Sequence, residues 1–507
     1  MIGSEGPRAG LARAIPRGLF LLIPLRPGEP LSRQIYAFVR AQILSGRLPS
    51  GSKLPSTRAW ARQLNVSRTT VLRAYEDLLA EGYIQGARGS RTTVAQDLPE
   101  DLGRSVSGSG ASSEGQTAPV LSHYAKRLLD GARSQPLNPP ITKDPGRYDF
   151  HYGNRLAADF PYRTWQRLSA RRSRVVPSGA PDSGHAGLRD ALAAHLSRLR
   201  AVRCHPSQIV IVNGSQQALD LVTRLLVNPG DPVVIEEPHY HGARLIFQAA
   251  GAKLVPCAVD GEGLRIERLP ASPKRVPLVY VTPSHQFPTG TVLPLSRRLA
   301  LIEWARSHQS FILEDDYDGE LRYDNRPIEA VQSLDESGCV IYVGTVSKAL
   351  SPELRLGYAV LPPALLTAFL AAKWATDLFA PTPNQVVLAE FFRDGHYDRH
   401  LRRLRECNSR RRSALLAATK KFLGDRALVG GVSAGLHAMI WLPTVPLAEL
   451  PLLIDCARQL GVTMYPVSHY YLGRPQQSGV LAGYSSLSEQ EIRAGVELFG
   501  EALRSRW

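Results

Sequence analysis

Two short apolar runs, each ending abruptly in polar residues, constrain the fold of this 507-residue chain more than any other feature. The run at 311–313 leads into Glu314-Asp315-Asp316-Tyr317-Asp318, and the run at 340–343 leads into Gly344-Thr345-Val346-Ser347-Lys348. Short apolar runs without a helical period predict buried strands. Ligands of open α/β sheets bind beyond the carboxyl ends of strands, so an acid and a lysine from two strands can face one ligand.

The polar residues at these strand ends favour one cofactor. A lysine next to an aromatic cofactor loses its proton readily and can form a Schiff base, which is the role predicted for Lys348. Asp315 would keep a pyridine nitrogen protonated. Arg355 follows Lys348 by seven residues, and its planar guanidinium suits a phosphate. Singly, such residues are more often turns or helix starts, but together with Tyr317 they predict a site for pyridoxal 5'-phosphate.

Further apolar runs at 209–212, 233–236 and 278–281 alternate with helical patterns, which predicts a mostly parallel sheet. After the first run the chain turns at Gly214 straight into a helix, whose backbone donors would attract a phosphate. Tyr240 follows the second run and is placed to stack on a ring. His239 and His241 have no third metal ligand at useful spacing, so no metal site is predicted.

The charge of the chain is uneven. Its net charge is +16, and the first 95 residues alone hold 14 Lys and Arg against 5 Asp and Glu. A basic segment of this kind indicates binding to nucleic acid. The five scattered cysteines lack metal-ligand spacing and indicate buried thiols in a reducing cytoplasm. The apolar run at 18–25 is too short for a signal peptide and lacks a cleavage site, and no stretch predicts a membrane helix.

The basic segment has the pattern of a helix-turn-helix. Helical apolar faces are predicted for 31–43, for a short helix with Trp60 and Leu64, and for a third helix with Val71, Tyr75, Leu78 and Leu79 inward. Ser56 and Ser67 are placed to cap the second and third helices. Residues 83–94 predict a small β wing. The third helix would then face the major groove with Ser67, Arg68, Thr69, Thr70 and Arg73. An ordinary three-helix bundle with a basic face is the alternative.

The local sequence of residues 28–94 resembles the GntR-type winged helix. The residues that carry the resemblance are Pro30-Leu31, Gln34-Ile35, Gly46, Leu54-Pro55-Ser56, Arg58, Ala61, Leu64, Val66-Ser67-Arg68, Thr70-Val71, Ala74-Tyr75, Leu78 and Glu81-Gly82-Tyr83. The resemblance implies contacts of Arg58, Arg68 and Arg73 with double-stranded DNA. Residues 95–121 then shift to Ser, Gly, Glu and Asp, which predicts a flexible linker.

Residues 122–507 look like a fold-type I aminotransferase, and the order of parts resembles the MocR/GabR family. The matching motifs are Asn213-Gly214-Ser215-Gln216, Glu237-Pro238-His239-Tyr240, Pro283-Ser284-His285-Gln286-Phe287-Pro288-Thr289-Gly290, Glu314-Asp315-Asp316-Tyr317-Asp318, Gly344-Thr345-Val346-Ser347-Lys348, Ser351-Pro352 and Arg355-Leu356-Gly357. The expected fold class is therefore α/β: an N-terminal winged helix-turn-helix, a mostly parallel central sheet and a smaller C-terminal α+β part.

The resemblance also implies roles for single residues. Lys348 would form the internal aldimine, Asp315 would pair with the pyridine nitrogen, and Tyr317 would contact the ring hydroxyl. Tyr240 would stack on the ring, and His285 and Gln286 would lie near its edge. The phosphate would be surrounded by Gly214, Ser215, Gln216, Thr345, Ser347 and Arg355. The family further implies a homodimer.

Two positions depart from the pattern of fold-type I aminotransferases. Gly179 occupies the place of a tyrosine that reaches the partner's phosphate, and Leu481 replaces an arginine that binds the substrate carboxylate. Without that guanidinium an α-amino acid loses a bidentate anchor, which argues against efficient transamination. We therefore expect a cytoplasmic transcriptional regulator that senses an amine, an amino acid or the cofactor itself through Lys348. The alternatives are an active aminotransferase that also binds DNA, and a DNA-binding protein with an inactive body.

Overall fold

The computed structural model describes residues 29–86, 92–96, 119–134, 146–153, 157–172, 182–271, 275–323 and 328–506. The chain divides into two units, one up to Pro119 and one from Val120 onward, and each is described here by itself. We call them the head and the body. The predicted positions Gly89, Arg91 and Gly179, and most of the predicted linker, lie outside the described residues.

The head is a three-helix unit with a two-stranded wing. Its elements are α1 (Leu31–Leu44), α2 (Thr57–Leu64), α3 (Arg68–Ala80), β1 (Ile84–Gln85) and β2 (Thr93–Val94). Strands β1 and β2 pair antiparallel. Asn65 ends α2 in the left-handed region with φ 53°, which makes the tight turn before α3. This is the winged helix-turn-helix expected from the sequence.

Apolar side chains on the inner faces of the three helices form the core of the head. Ile35, Val39, Trp60, Val71 and Leu78 are buried there. The predicted inward position of Leu79 is wrong, because its side chain is 51% exposed. At 3.6 residues per turn, Leu79 lies about 80° round α3 from Val71, on the flank of the buried face. Leu31, the first residue of α1, is also exposed.

Serine side chains begin the two helices of the helix-turn-helix, as predicted. The Ser56 hydroxyl accepts a hydrogen bond from the Ala59 amide at 3.2 Å, and the Ser67 hydroxyl accepts one from the Thr70 amide at 3.1 Å. Each bond satisfies an amide that has no partner within its own helix. Ser67 therefore fixes where α3 starts.

Replacing Ser67 by alanine should destabilise α3 by about 1 kcal/mol, because the Thr70 amide loses its side-chain acceptor and keeps only the Ser67 carbonyl at 3.1 Å. Native-state hydrogen exchange of the α3 amides measures this loss directly. Ser32→Ala is the matched control, since Ser32 lies within the first turn of α1, whose Pro30 cap makes no side-chain bond. Equal exchange rates in the wild type and Ser67→Ala would contradict the assignment.

The body alternates helices and strands along most of its length. Its helices are α4 (His123–Ser134), α5 (Tyr162–Arg172), α6 (Ala186–Arg200), α7 (Ser215–Leu226), α8 (His241–Ala250), α9 (Leu295–Ser307), α10 (Val331–Leu334), α11 (Pro363–Asp377), α12 (Thr382–Arg393), α13 (His396–Phe422), α14 (Leu450–Gln459) and α15 (Glu489–Arg504). Its strands are β3 (Tyr148–Asp149), β4 (Ile209–Val212), β5 (Pro232–Glu237), β6 (Lys253–Asp260), β7 (Gly263–Leu264), β8 (Leu278–Val281), β9 (Phe311–Asp316), β10 (Val340–Thr345), β11 (Gly357–Val360), β12 (Leu428–Gly430), β13 (His437–Trp441), β14 (Val462–Thr463), β15 (Tyr465–Pro466) and β16 (Gly479–Gly483).

An eight-stranded sheet forms the centre of the body, in the order β4-β11-β10-β9-β8-β5-β6-β7. The strands from β10 to β6 pair in parallel, whereas β11 runs antiparallel to both β10 and β4. Strands β4, β8 and most of β9 and β10 are buried, as their uninterrupted apolar runs predict. The carboxyl ends of β8, β9 and β10 therefore meet at one edge of the sheet.

The C-terminal part of the body has its own antiparallel sheet, in the order β12-β13-β16-β15. Ala438 and Ile440 of β13 and Val480 and Ala482 of β16 face a large apolar core that also includes Phe499 of α15. The smaller α+β portion expected after residue 362 is thus present. Within the described residues, no helix is both long and apolar enough to cross a membrane.

Candidate cofactor site and nucleic-acid interface

Three successive carboxylates at the end of β9 have three different partners. Glu314 accepts hydrogen bonds from the Val331 and Gln332 amides, both at 2.9 Å, and so holds the start of α10. Asp316 pairs with the buried guanidinium of Arg200 at 2.8 Å. Asp315 points to the opposite face of the strand, since side chains alternate along a strand. Glu314 and Asp316, the residues on either side of Asp315, are thus both held by partners within the protein.

Asp315 lies at a cavity of about 160 Å³ beyond the carboxyl ends of the strands. The residues predicted to contact the cofactor line this cavity, apart from His285 and Gln286. They are Gly214, Ser215, Gln216, Tyr240, Asp315, Tyr317, Thr345, Ser347, Lys348 and Arg355. The structure therefore brings together residues that are spread over more than a hundred positions of the sequence.

Only one of the two carboxylate oxygens of Asp315 accepts a hydrogen bond from the described residues. Oδ2 accepts a hydrogen bond from the Tyr280 hydroxyl at 2.9 Å, whereas Oδ1 has no hydrogen-bond partner among the described residues. Burial raises the pKa of Asp315 to about 7, although the Tyr280 hydrogen bond lowers it. A buried carboxylate oxygen without a donor is costly. A protonated ring nitrogen in the cavity would satisfy it.

The Lys348 amine lies against an aromatic ring that also lines the cavity. Its Nζ is 4.4 Å from the ring centroid of Tyr152, a cation–π distance. Gly153 follows with φ 92°, and a Cβ at this position would come within 3.1 Å of Nζ. The segment after β3 thus leaves room for the lysine.

One end of the cavity is built for an anion. Gly214 precedes α7 with φ 87° and makes no side-chain cap, so backbone amides of the first turn remain available. The Arg355 guanidinium donates to the Asn213 carbonyl at 2.7 Å, and a Cβ at Gly214 would come within 2.8 Å of it. Gly214 is therefore required by close approach as well as by its backbone angle.

A hydrogen-bond network of half-buried side chains and the buried Lys373 holds the turn at Gly214 in place. Asp377 at the end of α11 accepts hydrogen bonds from the side chains of Asn213 at 2.7 Å and Gln217 at 2.8 Å. Its other oxygen pairs with the buried Lys373 amine at 2.8 Å. The loop that carries Gly214 is thus fixed from behind by α11.

Some residues around the cavity differ from the sequence prediction. His285 and Gln286 do not line it: His285 bonds to Asp318 at 2.8 Å, and the Gln286 amide donates to the Pro238 carbonyl at 2.7 Å. Both side chains are therefore used to hold the loop after β8. The cavity has further lining residues that the sequence did not indicate, namely Tyr152, Tyr280, Phe287 and Pro352.

The head presents the side chains predicted to contact DNA at the starts of α2 and α3. Arg58, Arg68, Thr69 and Arg73 are exposed, and Thr70 is half-buried. Ser67 is exposed but its hydroxyl is used as the cap of α3. Exposed arginines at the start of the second helix of a helix-turn-helix are suited to phosphates and base edges.

Comparison with known proteins supports the assignments of both the head and the body. Residues 31–94 match the gntR family of bacterial regulatory proteins, and residues 167–493 match the class I and II aminotransferases. The probable rhizopine catabolism regulatory protein MocR of Rhizobium meliloti is 37% identical over 472 residues, which are 92% of each chain. The transcriptional regulator TauR of Rhodobacter capsulatus is 31% identical over 97% of this chain and 100% of its own.

Among solved structures, LysN, an α-aminoadipate aminotransferase from Thermus thermophilus, superposes with a TM-score of 0.67. It is 27% identical and covers 76% of this chain and 97% of its own, and its structure is a complex with N-(5'-phosphopyridoxyl)-L-leucine. Fold and comparisons define the class: a GntR-type DNA-binding domain joined to an aminotransferase of class I and II. The chain belongs to the MocR-type members of the GntR family of transcriptional regulators.

Pyridoxal 5'-phosphate is the cofactor of this aminotransferase class, and the cavity fits it. The unpartnered Oδ1 of Asp315 suits a protonated ring nitrogen, and the turn at Gly214 with Arg355 suits a phosphate. Lys348 lines the same cavity. Acid, amine and anion site thus border one cavity, as one small molecule requires.

Replacing Asp315 by asparagine should weaken pyridoxal 5'-phosphate binding about tenfold or more at pH 8, because the ring nitrogen loses a charged partner. The pKa of Asp315 is about 7 in the protein alone, so the wild-type side chain becomes a neutral acid below that pH. The difference between wild type and Asp315→Asn should therefore shrink at pH 6. Titration of the cofactor at both pH values measures it. A difference independent of pH would contradict the role.

Proposed function

We propose that this protein is a DNA-binding transcriptional regulator whose body senses an amine, an amino acid or pyridoxal 5'-phosphate itself through Lys348. The observation that carries the proposal is the single cavity shared by Lys348, Asp315 and Arg355, in a chain that also has a GntR-type head. In this proposal the protein works in the cytoplasm, where its DNA target lies.

The residues of the cavity have distinct tasks in the proposed function. When bound, pyridoxal 5'-phosphate supplies an aldehyde carbon at which primary amines exchange. Lys348 would hold that carbon in the absence of an effector, and its Nζ is the group that an effector's amine would displace. Asp315 keeps the ring nitrogen protonated, while Arg355 and the turn at Gly214 fix the phosphate.

Release of Lys348 gives the body two states that a ligand can distinguish. In one state the Lys348 amine would be bound to the cofactor, and in the other the effector's amine would have displaced it. An effector shifts such an equilibrium only by the difference between its affinities for the two states. Coupling to DNA affinity is then reciprocal, so DNA should also change the effector's affinity.

We also propose that the protein is a homodimer, as the family resemblance implies. Trp374, Leu378 and Phe379 are exposed at the end of α11, with exposed fractions of 58%, 49% and 46%. Large apolar side chains close together in sequence on a surface support an interface. Light scattering of the full chain tests it, and a monomer at micromolar concentration would contradict it.

The alternative function is an aminotransferase that also binds DNA. Leu481 is buried on β16 where an arginine would be needed to hold a substrate carboxylate, which disfavours this alternative. The two functions differ in their products. A regulator should change DNA affinity when an amine is added without forming a keto acid, whereas an enzyme should release one keto acid per amino acid consumed.

The decisive experiment measures DNA affinity and cofactor absorbance in the same titration. The full chain loaded with pyridoxal 5'-phosphate is mixed with DNA from upstream of its own gene, and candidate amines are added. We expect an amine that changes the absorbance also to change the affinity for DNA. Absorbance changes that leave DNA binding unaltered for every amine would refute sensing.

A further inference from the structure

One face of the C-terminal sheet points towards the cofactor cavity. Side chains alternate along β13 and β16, so those that do not enter the C-terminal core lie on the other face. Met439 and Leu481 are direct partners on this face, and Tyr465 of β15 pairs with Leu481 on its other side. The face therefore presents a continuous row of apolar side chains.

This row joins the aromatic side of the cavity. Met439, Leu481, Tyr465 and Phe287 belong to one buried apolar cluster. Tyr152, Tyr240 and Tyr317 pack against the cluster and also line the cavity, as Phe287 does. The rings of Tyr152 and Phe287 are in contact, with centroids 5.1 Å apart. We call Met439, Leu481, Tyr465, Phe287, Tyr152, Tyr240 and Tyr317 together the aromatic wall.

The described residues that line the cavity leave no unassigned cation for a second ligand, and the buried His285 beside Tyr317 is paired with Asp318 at 2.8 Å. Among the described residues that line the cavity, the charged ones are Asp315, Lys348 and Arg355, and each is assigned to the cofactor. His437 of β13 lies behind the wall, 4.8 Å from the Tyr152 ring. Burial and then the charge of His285 hold the pKa of His437 well below its usual value. Its imidazole is therefore neutral at physiological pH.

A carboxylate brought to this wall would lose its hydration without gaining a partner. Burying an unpaired ionised carboxylate is strongly unfavourable, whereas apolar groups gain from contact with rings. A primary amine, in contrast, has a place at the cofactor through exchange with Lys348. The chemistry of the wall thus selects the part of the effector that lies beyond its amine.

Resting on the proposed function, we infer that the effector is a primary amine whose remaining part is apolar or aromatic and carries no carboxylate. The effector's amine occupies the place that Lys348 vacates. The rest of the effector packs on Tyr152, Phe287 and the other residues of the aromatic wall. Leu481 is the specificity-determining residue in this assignment. It belongs to the same buried cluster as Phe287, although it does not itself line the cavity, and the family resemblance implies an arginine for a carboxylate at its position.

The test compares matched amines on the cofactor-loaded full chain, with the absorbance of the bound cofactor as the readout. 2-Phenylethylamine is compared with L-phenylalanine, and propylamine with 4-aminobutanoate, because the members of each pair differ only by a carboxylate. We expect the carboxylate-free member of each pair to saturate at a concentration at least about tenfold lower, equivalent to about 1.4 kcal/mol.

Leu481→Arg should reverse this preference by giving the carboxylate a bidentate partner. Leu452→Arg is the matched control, since Leu452 lies on α14 with 46% of its side chain exposed and should leave the preference unchanged. The comparison of amines on the wild type needs no variant, so it decides the question even if arginine at the buried position prevents folding.

The possible outcomes separate the inference from the proposed function. Tighter binding of the carboxylate-bearing members to the wild type would overturn the inference and leave amine sensing intact. If no amine of either kind changes the absorbance while the cofactor stays bound, the inference and the sensing of amines and amino acids both fall, and only sensing of pyridoxal 5'-phosphate itself remains of the proposed function. Selectivity that shifts equally in Leu481→Arg and Leu452→Arg would remove Leu481 from its assigned role.

Discussion

Replacing Lys348 by alanine is expected to abolish the absorbance of the lysine-linked cofactor and every response to amines. The amine of Lys348 is the only lysine amine among the described residues that line the cavity, so no neighbour can take over the covalent link. Pyridoxal 5'-phosphate would still contact Asp315 and Arg355, but it should wash out on gel filtration. Ultraviolet–visible spectra before and after gel filtration measure both effects.

Lys253→Ala is the control for this experiment. Lys253 is exposed on β6, and its removal changes the charge of the body by the same amount. DNA binding without effector should persist in both variants, because the DNA-facing arginines belong to the head. A retained cofactor spectrum in Lys348→Ala would contradict the covalent role.

The second large effect is expected in the head. Removing both Arg68 and Arg73 should weaken operator binding by roughly a hundredfold or more, since each lost phosphate or base contact costs about 1–3 kcal/mol. If both contact phosphates, the slope of log affinity against log salt should fall by about 2. Fluorescence anisotropy at several salt concentrations gives both quantities.

The control for the head variant is Arg306→Ala combined with Arg393→Ala. Both arginines are exposed on the body, so the control removes the same net charge without touching α3. A comparable loss of affinity in the control would mean that net charge, and not the recognition helix, governs binding. An unchanged affinity in the head variant would refute the assignment of α3.

The sequence predicted those features that depend on local chemistry. Ser56 and Ser67 cap their helices as expected, because a cap is decided by a side chain and an amide three residues away. The apolar runs became strands of a mostly parallel sheet, whose strand ends necessarily share one edge. That rule is why Asp315 and Lys348 could be expected to meet, whereas their contacts with a cofactor remain predictions.

Features set by packing between distant elements could not be predicted. Tyr152 follows β3 in a segment without a regular period, yet its ring contacts Lys348. Tyr280 lies within a buried apolar strand and gave no sign that its hydroxyl reaches Asp315. Leu79 has the right spacing for the core of the head, but the width of the buried face of α3 excludes it. In each case the deciding neighbour comes from another part of the chain.

The network behind the turn at Gly214 has a consequence for how a signal could arise. Asp377 and Lys373 hold Asn213 in its place without any ligand, so the phosphate end is preorganised. A phosphate site that is already rigid changes its conformation little when the phosphate binds. The moving part of a switch is therefore to be sought at Lys348, whose side chain can be bound to the cofactor or released from it.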